Sequence, residues 1–128
     1  MKTLESNLQK ACVYWFRMQY PKLRSLLFSV PNGGYRNIAT ARNMVAEGIV
    51  RGVADLLFLY PSQGYHGLCI EMKTAKGRQS DYQKQWQTAV ESVGYKYVVC
   101  RSFDDFKEIV TDYLRLQKLQ LKNVFLFH

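Results

Sequence analysis

Apolar and polar positions along this chain follow two periods, one helical and one strand-like, and the switches between them mark out successive elements. Leu4, Leu8, Ala11, Cys12 and Trp15 recur at helical spacing. With Thr3 as N-cap they predict an opening helix to about Met18, and Pro21 ends that region. Leu26 to Val30 reads as a short strand, stopped by the loop signal Pro31-Asn32-Gly33-Gly34. Helical spacing returns from Ile38 to Glu47, with Gly48 suited to follow the helix end. Two apolar segments, Ala54–Tyr60 and Leu68–Lys73, flank Pro61-Ser62-Gln63-Gly64-Tyr65, the pattern of a hairpin. Ser80 then opens a helix to about Val93, closed by Gly94. Tyr95–Cys100 is strand-like, and Ser102 caps a last helix to about Lys118.

The order α-β-α-β-β-α-β-α predicts an α/β layered domain with a mixed sheet of about four strands and helices on its faces. The 128 residues suffice for one core. Residues 1–118 form the expected domain. The apolar tail 119–128, with Val124, Phe125, Leu126 and Phe127, is expected to pack on it or on a second subunit. No internal repeat or low-complexity stretch is present.

Composition narrows the class. With 48% apolar and 22% charged residues the chain is of the folded kind. No apolar run approaches the length of a membrane span and no signal-peptide core follows Met1, so a cytoplasmic protein without membrane contact is expected. Cys12, Cys69 and Cys100 sit among apolar neighbours without CxxC spacing, which reads as reduced core thiols. The net charge of +8 is unevenly placed: Met1–Arg101 holds 14 Lys/Arg against 6 Asp/Glu, whereas the remainder balances at 4 against 4. A polyanion partner, nucleic acid first, is implied for that basic part.

Asp55, Glu71 and Lys73 are the charges that interrupt apolar segments. On a strand Glu71 and Lys73 share a face, and pairing of the two segments brings Asp55 near them. Two carboxylates about 4 Å apart repel by about 4 kcal/mol at an effective dielectric near 20. A divalent cation removes that penalty, and hard oxygen donors suit Mg²⁺ or Mn²⁺. An ion pair on the solvated side of an edge strand is the rival reading. Glu5 in a helix's first turn is favourable through the macrodipole alone, and Ser80-x-x-Gln83 is a capping box. His66 and His128 have no partner spacing for zinc or a nucleophilic dyad. Tyr14, Trp15, Trp86 and Tyr95 fall at core-like positions.

Gly52-x-x-Asp55 followed by Glu71-x-Lys73 resembles the PD-(D/E)xK nuclease superfamily, and more closely its virus-type replication-repair nuclease (VRR-NUC) domain. Glu5, Pro31-Asn32-Gly33-Gly34 with Arg36, Gly48, Gly77, Ser80, Gln83, Trp86 and Gly94-Tyr95 complete the pattern in order, from about Leu4 to Cys100. The resemblance implies a restriction-endonuclease-like core and a Mg²⁺- or Mn²⁺-dependent DNA endonuclease. Asp55, Glu71 and the Met72 carbonyl would hold the metal, with Glu5 a further acidic ligand, direct or through water. Lys73 would orient or deprotonate the attacking water or stabilise charge on the phosphate, and Gln83 would lie near the metal. The Asn32-Gly33-Gly34 loop would border the site. Arg36, Arg42, Arg51, Lys76, Arg78 and Lys84 are the candidate DNA-backbone contacts. Stand-alone phage and bacterial domains of this type resemble homodimeric Holliday-junction resolvases, so branched DNA, a role in DNA repair and a homodimer are expected. The rivals are a sequence-specific endonuclease of linear duplex and a non-catalytic basic module that binds DNA.

Overall fold

The computed structural model describes residues 2–31 and 38–126, with side chains for 3–31 and 39–115. Helix α1 (Lys2–Gln19) leads through a 3-10 turn (Pro21–Leu26) into β1 (Leu27–Ser29), then α2 (Ile38–Ala46) and β2 (Leu56–Phe58). Strand β3 (Leu68–Met72), α3 (Asp81–Ser92), β4 (Lys96–Cys100) and α4 (Phe103–Leu126) follow. The sheet runs β1-β2-β3-β4, antiparallel except for the parallel β3–β4 pair across which α3 makes the crossover. This is the expected element order and the expected α/β mixed sheet.

The strand period of two divides the core between the two faces. Leu56, Phe58, Leu68, Ile70 and Met72 join Cys12 and Phe16 of α1 and Phe106, Val110 and Tyr113 of α4 in one buried cluster. On the other face Cys69 and Tyr97 pack with Ala54 beneath Trp86 and Val90 of α3. All three cysteines are free and buried. Phe16, Phe58 and Tyr113 meet edge-on or tilted at centroid distances of 5.2–6.0 Å, a preferred aromatic geometry. The hairpin turn is tied to α4: Ser62 Oγ donates to the Tyr113 carbonyl, and the Tyr113 hydroxyl donates to the Tyr60 carbonyl at 2.7 Å.

Several boundaries differ from the sequence expectation. Helix α1 already includes Lys2, so Thr3 lies within its first turn instead of capping it. Leu26 completes the 3-10 turn that Pro21 initiates, so the first strand begins at Leu27. The second strand is only Leu56–Phe58, because only that stretch has a β1 partner (Leu27–Ser29) and a β3 partner (Leu68–Ile70) in register. Helix α4 continues past Lys118 to Leu126, absorbing most of the segment expected to be a separate tail. The side chains from Leu116 onward, and the Asn32-Gly33-Gly34 loop with Arg36, lie outside the described residues.

Candidate active site

The pairing of β2 with β3 ends at Leu56, opposite Ile70, while β3 continues to Met72. Alternate residues of a strand turn their main-chain groups to the same neighbour, so the Met72 N–H and carbonyl face the gap where β2 has ended. Asp55 fills it: its Oδ2 accepts from the Met72 N–H at 2.7 Å. One carboxylate oxygen thus completes a ladder position that the backbone leaves open. On the opposite side of β3, Lys73 N–H donates to the Cys100 carbonyl at 2.9 Å, which fixes the strand end against β4.

Gly52 brings Asp55 to this place. Its φ of +86° belongs to the left-handed region, and a Cβ there would stand 2.4 Å from the Tyr82 carbonyl carbon. Only glycine lets this loop lie directly on the first turn of α3. That contact seats Asp55 between two openings. A cleft of about 650 Å³ is bordered by Glu5, Lys10, Tyr14, Arg17, Asp55 and Met72. A smaller one of about 260 Å³ is bordered by Arg51, Gly52, Asp55, Tyr82 and Gln83.

Glu71 is 1% exposed, and burying a charge is costly unless it is paired and hydrogen-bonded. Its Oε1 accepts from Gln83 Nε2 at 2.8 Å and stands 3.7 Å from the Lys73 ammonium. Its Oε2 accepts from the Tyr97 hydroxyl at 3.4 Å. Burial, and then the negative charge and hydrogen bonding of Asp55, push the Glu71 carboxyl up to about 8 against the pull of Lys73 and Tyr97. The Tyr97 hydroxyl is itself pushed up by burial and by Glu71.

The Gln83 amide has two ends, and both are used. Its Oε1 accepts from the Ser80 N–H at 2.8 Å while Ser80 Oγ accepts from the Gln83 N–H, completing the capping box; its Nε2 reaches Glu71. Capping and site contact appear as exclusive alternatives when the side chain is given one role, and the structure shows them together. Three further residues escaped the sequence reading. Tyr97 and Gln79 form a chain to Glu71, with Gln79 Nε2 donating to the Tyr97 hydroxyl at 3.1 Å. Arg101 Nη1 donates to the carbonyls of Thr74 and Gly77 at 2.9 and 2.7 Å, holding the loop that follows Lys73. A tyrosine two residues into an apolar strand carries no signal of its own. The parallel register Cys69↔Tyr97 and Glu71↔Val99 gives it this role.

The structure therefore brings Asp55, Glu71, Lys73, the Met72 main chain and Gln83 together. Glu5 lines the same larger cleft as Asp55, and among the described residues no three His, Cys, Asp or Glu side chains gather as a ligand cluster. Arg42 and Arg51 border one shallow depression, and the Arg51 guanidinium lies 5.5 Å from the centre of the Tyr82 ring. Lys76, Arg78 and Lys84 are exposed on the loop before α3 and on that helix. Trp15, Trp86 and Tyr95 pack against the core as expected. Tyr14 does not: it is 68% exposed and borders the larger cleft.

Residues 2–104 match the VRR-NUC domain, which is most of the chain. The chain belongs to the VRR-NUC family. A solved structure described as a VRR_NUC domain protein superposes with a TM-score of 0.76 at 24% identity, over 88% of each chain. That likeness shows a shared fold. Among curated proteins none matches. The VRR-NUC assignment makes this a nuclease-type domain, and the match spans every residue of the Asp55–Glu71–Lys73 cluster. No helix among the described residues is long and apolar enough to cross a membrane.

Proposed function

We propose that this VRR-NUC domain is a Mg²⁺- or Mn²⁺-dependent DNA endonuclease that hydrolyses phosphodiester bonds in branched DNA as a homodimer. The observation that carries the reading is the buried Glu71 carboxylate set against Asp55 at the end of β3. The two like charges are unfavourable together, and a hard divalent cation would relieve them.

The donor set fits such an ion. Asp55, Glu71 and the Met72 carbonyl are all oxygen donors at the end of β3, and Glu5 lines the same cleft as Asp55 and Met72, where it would act through water. When bound, the ion supplies a lowered pKa for a water molecule and positive charge beside the phosphate. The protein does the rest. Gln83 and Tyr97 fix the Glu71 carboxylate on its two oxygens. Lys73, an ammonium 3.7 Å from Glu71, orients the attacking water or stabilises charge building on the phosphate oxygens. Arg51, which lines the smaller opening beside Asp55, and the exposed Lys76, Arg78 and Lys84 would contact phosphates and position the strand.

Family membership supports nuclease chemistry. The branched substrate and the homodimer are drawn from the resemblance to stand-alone resolvase-like members, since paired cuts on opposed strands require two sites. The experiment is to incubate the protein with end-labelled linear, flap, fork and four-way DNA in Mg²⁺, Mn²⁺ or EDTA, beside Glu71→Ala and Lys73→Ala. Wild-type cutting with either metal, strongest on branched DNA and lost in both variants, is the expected result. Intact substrates throughout, or variants that cut as wild type does, overturn the nuclease reading. Preference for linear duplex at a fixed sequence overturns the branched-DNA part.

A further inference from the structure

Helix α1 buries one stripe, built on Leu8, Cys12, Trp15 and Phe16. On another stripe, Lys10, Tyr14 and Arg17 follow one another at i, i+4 and i+7, the spacing that aligns side chains along a helix. All three are exposed and all three border the 650 Å³ cleft that also reaches Asp55 and Met72. No ion pair among the described residues engages either cation. Tyr14, at 68% exposure, adds nothing to the core. A cation, an aromatic ring and a second cation therefore stand in a row beside the carboxylates.

We propose that this row holds an unpaired DNA strand next to the phosphate to be cut, with Tyr14 stacking on a base and Lys10 and Arg17 on flanking phosphates. The inference rests on the nuclease reading of the Asp55–Glu71 site and specifies the form of DNA that reaches it. Seven helical residues rise about 10 Å, so the row can meet successive groups of one strand. Stacking on an exposed ring combined with cations along a groove is the means by which proteins hold single strands without reading sequence. A duplex offers Tyr14 no free base face, because its bases are stacked on one another. The row thus favours DNA opened at a fork, flap or junction.

Fluorescence anisotropy with labelled oligothymidine and with a blunt duplex, in EDTA so that nothing is cut, tests the proposal on the full chain. Tyr14→Ala should weaken oligothymidine binding roughly 5- to 100-fold, Tyr14→Phe should retain most of it, and neither should alter duplex binding. The double variant Lys10→Ala/Arg17→Ala should flatten the dependence of log K on log salt by about 1.4 for the single strand. All of these positions are exposed, and circular dichroism checks that each variant folds. Unchanged oligothymidine binding by Tyr14→Ala, or equal losses for single strand and duplex, overturns the proposal. Failure of the underlying reading shows separately, as a wild type that cuts no forked DNA in Mg²⁺; Tyr14-dependent binding would then still uphold the strand-holding row.

Discussion

At the scale of single residues, the site is organised around one buried carboxyl. Glu71 was legible in sequence because a charge inside an apolar strand is out of place, and Asp55 and Lys73 stood out for the same reason. Its partners were not. Tyr97 and Gln79 look like ordinary strand and loop residues until the parallel pairing of β3 with β4 sets one beside the other. The carboxyl has a consequence for stability. In the unfolded chain Glu71 titrates near its ordinary 4.5, whereas in the metal-free fold it is held up to about 8. Between those values the folded state binds more protons than the unfolded one, so stability falls as pH rises, by at most about 1.4 kcal/mol per pH unit from this group. Urea unfolding in EDTA from pH 5 to pH 8 should show this fall, and Glu71→Gln should remove most of it. A wild type equally stable across the range, or a decline the variant shares in full, would count against the account.

At the scale of elements, the local rules that predict helix starts and turns also position the chemistry. The capping box at Ser80 is a sequence signature. What it hides is that the Gln83 amide keeps a free donor for Glu71 after its oxygen has capped the helix. Ser80→Ala should therefore cost about 0.5–2 kcal/mol of stability. Gln83→Ala should cost a similar amount and lower cleavage at least about tenfold as well, since Glu71 loses a buried partner. Equal cleavage by the two variants would separate Gln83 from the site. Gly52 shows the same coupling. Gly52→Ala places a methyl 2.4 Å from the α3 backbone at a φ of +86°. It should destabilise by about 1–3 kcal/mol or more and abolish cutting, both readable from one urea titration and one cleavage assay. Periodicity located α1, α3, β3 and β4 well, because those elements have long or strongly apolar faces. It overextended β2, whose length is set by its neighbours' register, and it stopped α4 early at a charge-bearing stretch that the helix passes through.

At the scale of the whole molecule, the excess positive charge lies within the first 101 residues, the part that builds the sheet and both openings beside Asp55. DNA affinity should accordingly fall steeply with salt, with a log–log slope near −0.7 to −0.9 for each phosphate contacted. The proposed homodimer gives a second expectation. Light scattering at micromolar protein should report about twice the 15.0 kDa chain mass, and a mass of one chain at moderate salt would remove the two-site account of paired cuts. The fold was readable from the switches between helical and strand periods. The acidic pair gained its meaning from the resemblance to the VRR-NUC pattern, because its spacing alone equally suits an ion pair on an edge strand. The clefts were not readable, since they arise where α1 and the Gly52 loop approach the strand ends from distant parts of the sequence.

The central claim is that Asp55 and Glu71 form a divalent-cation site. Calorimetric titration of Mn²⁺ into the metal-free protein, beside Asp55→Asn and Glu71→Gln and without DNA, tests it most directly. The account predicts saturable binding to the wild type that is lost or weakened at least about tenfold in each variant. Binding of equal strength in all three proteins, or none in the wild type at millimolar metal, would contradict it.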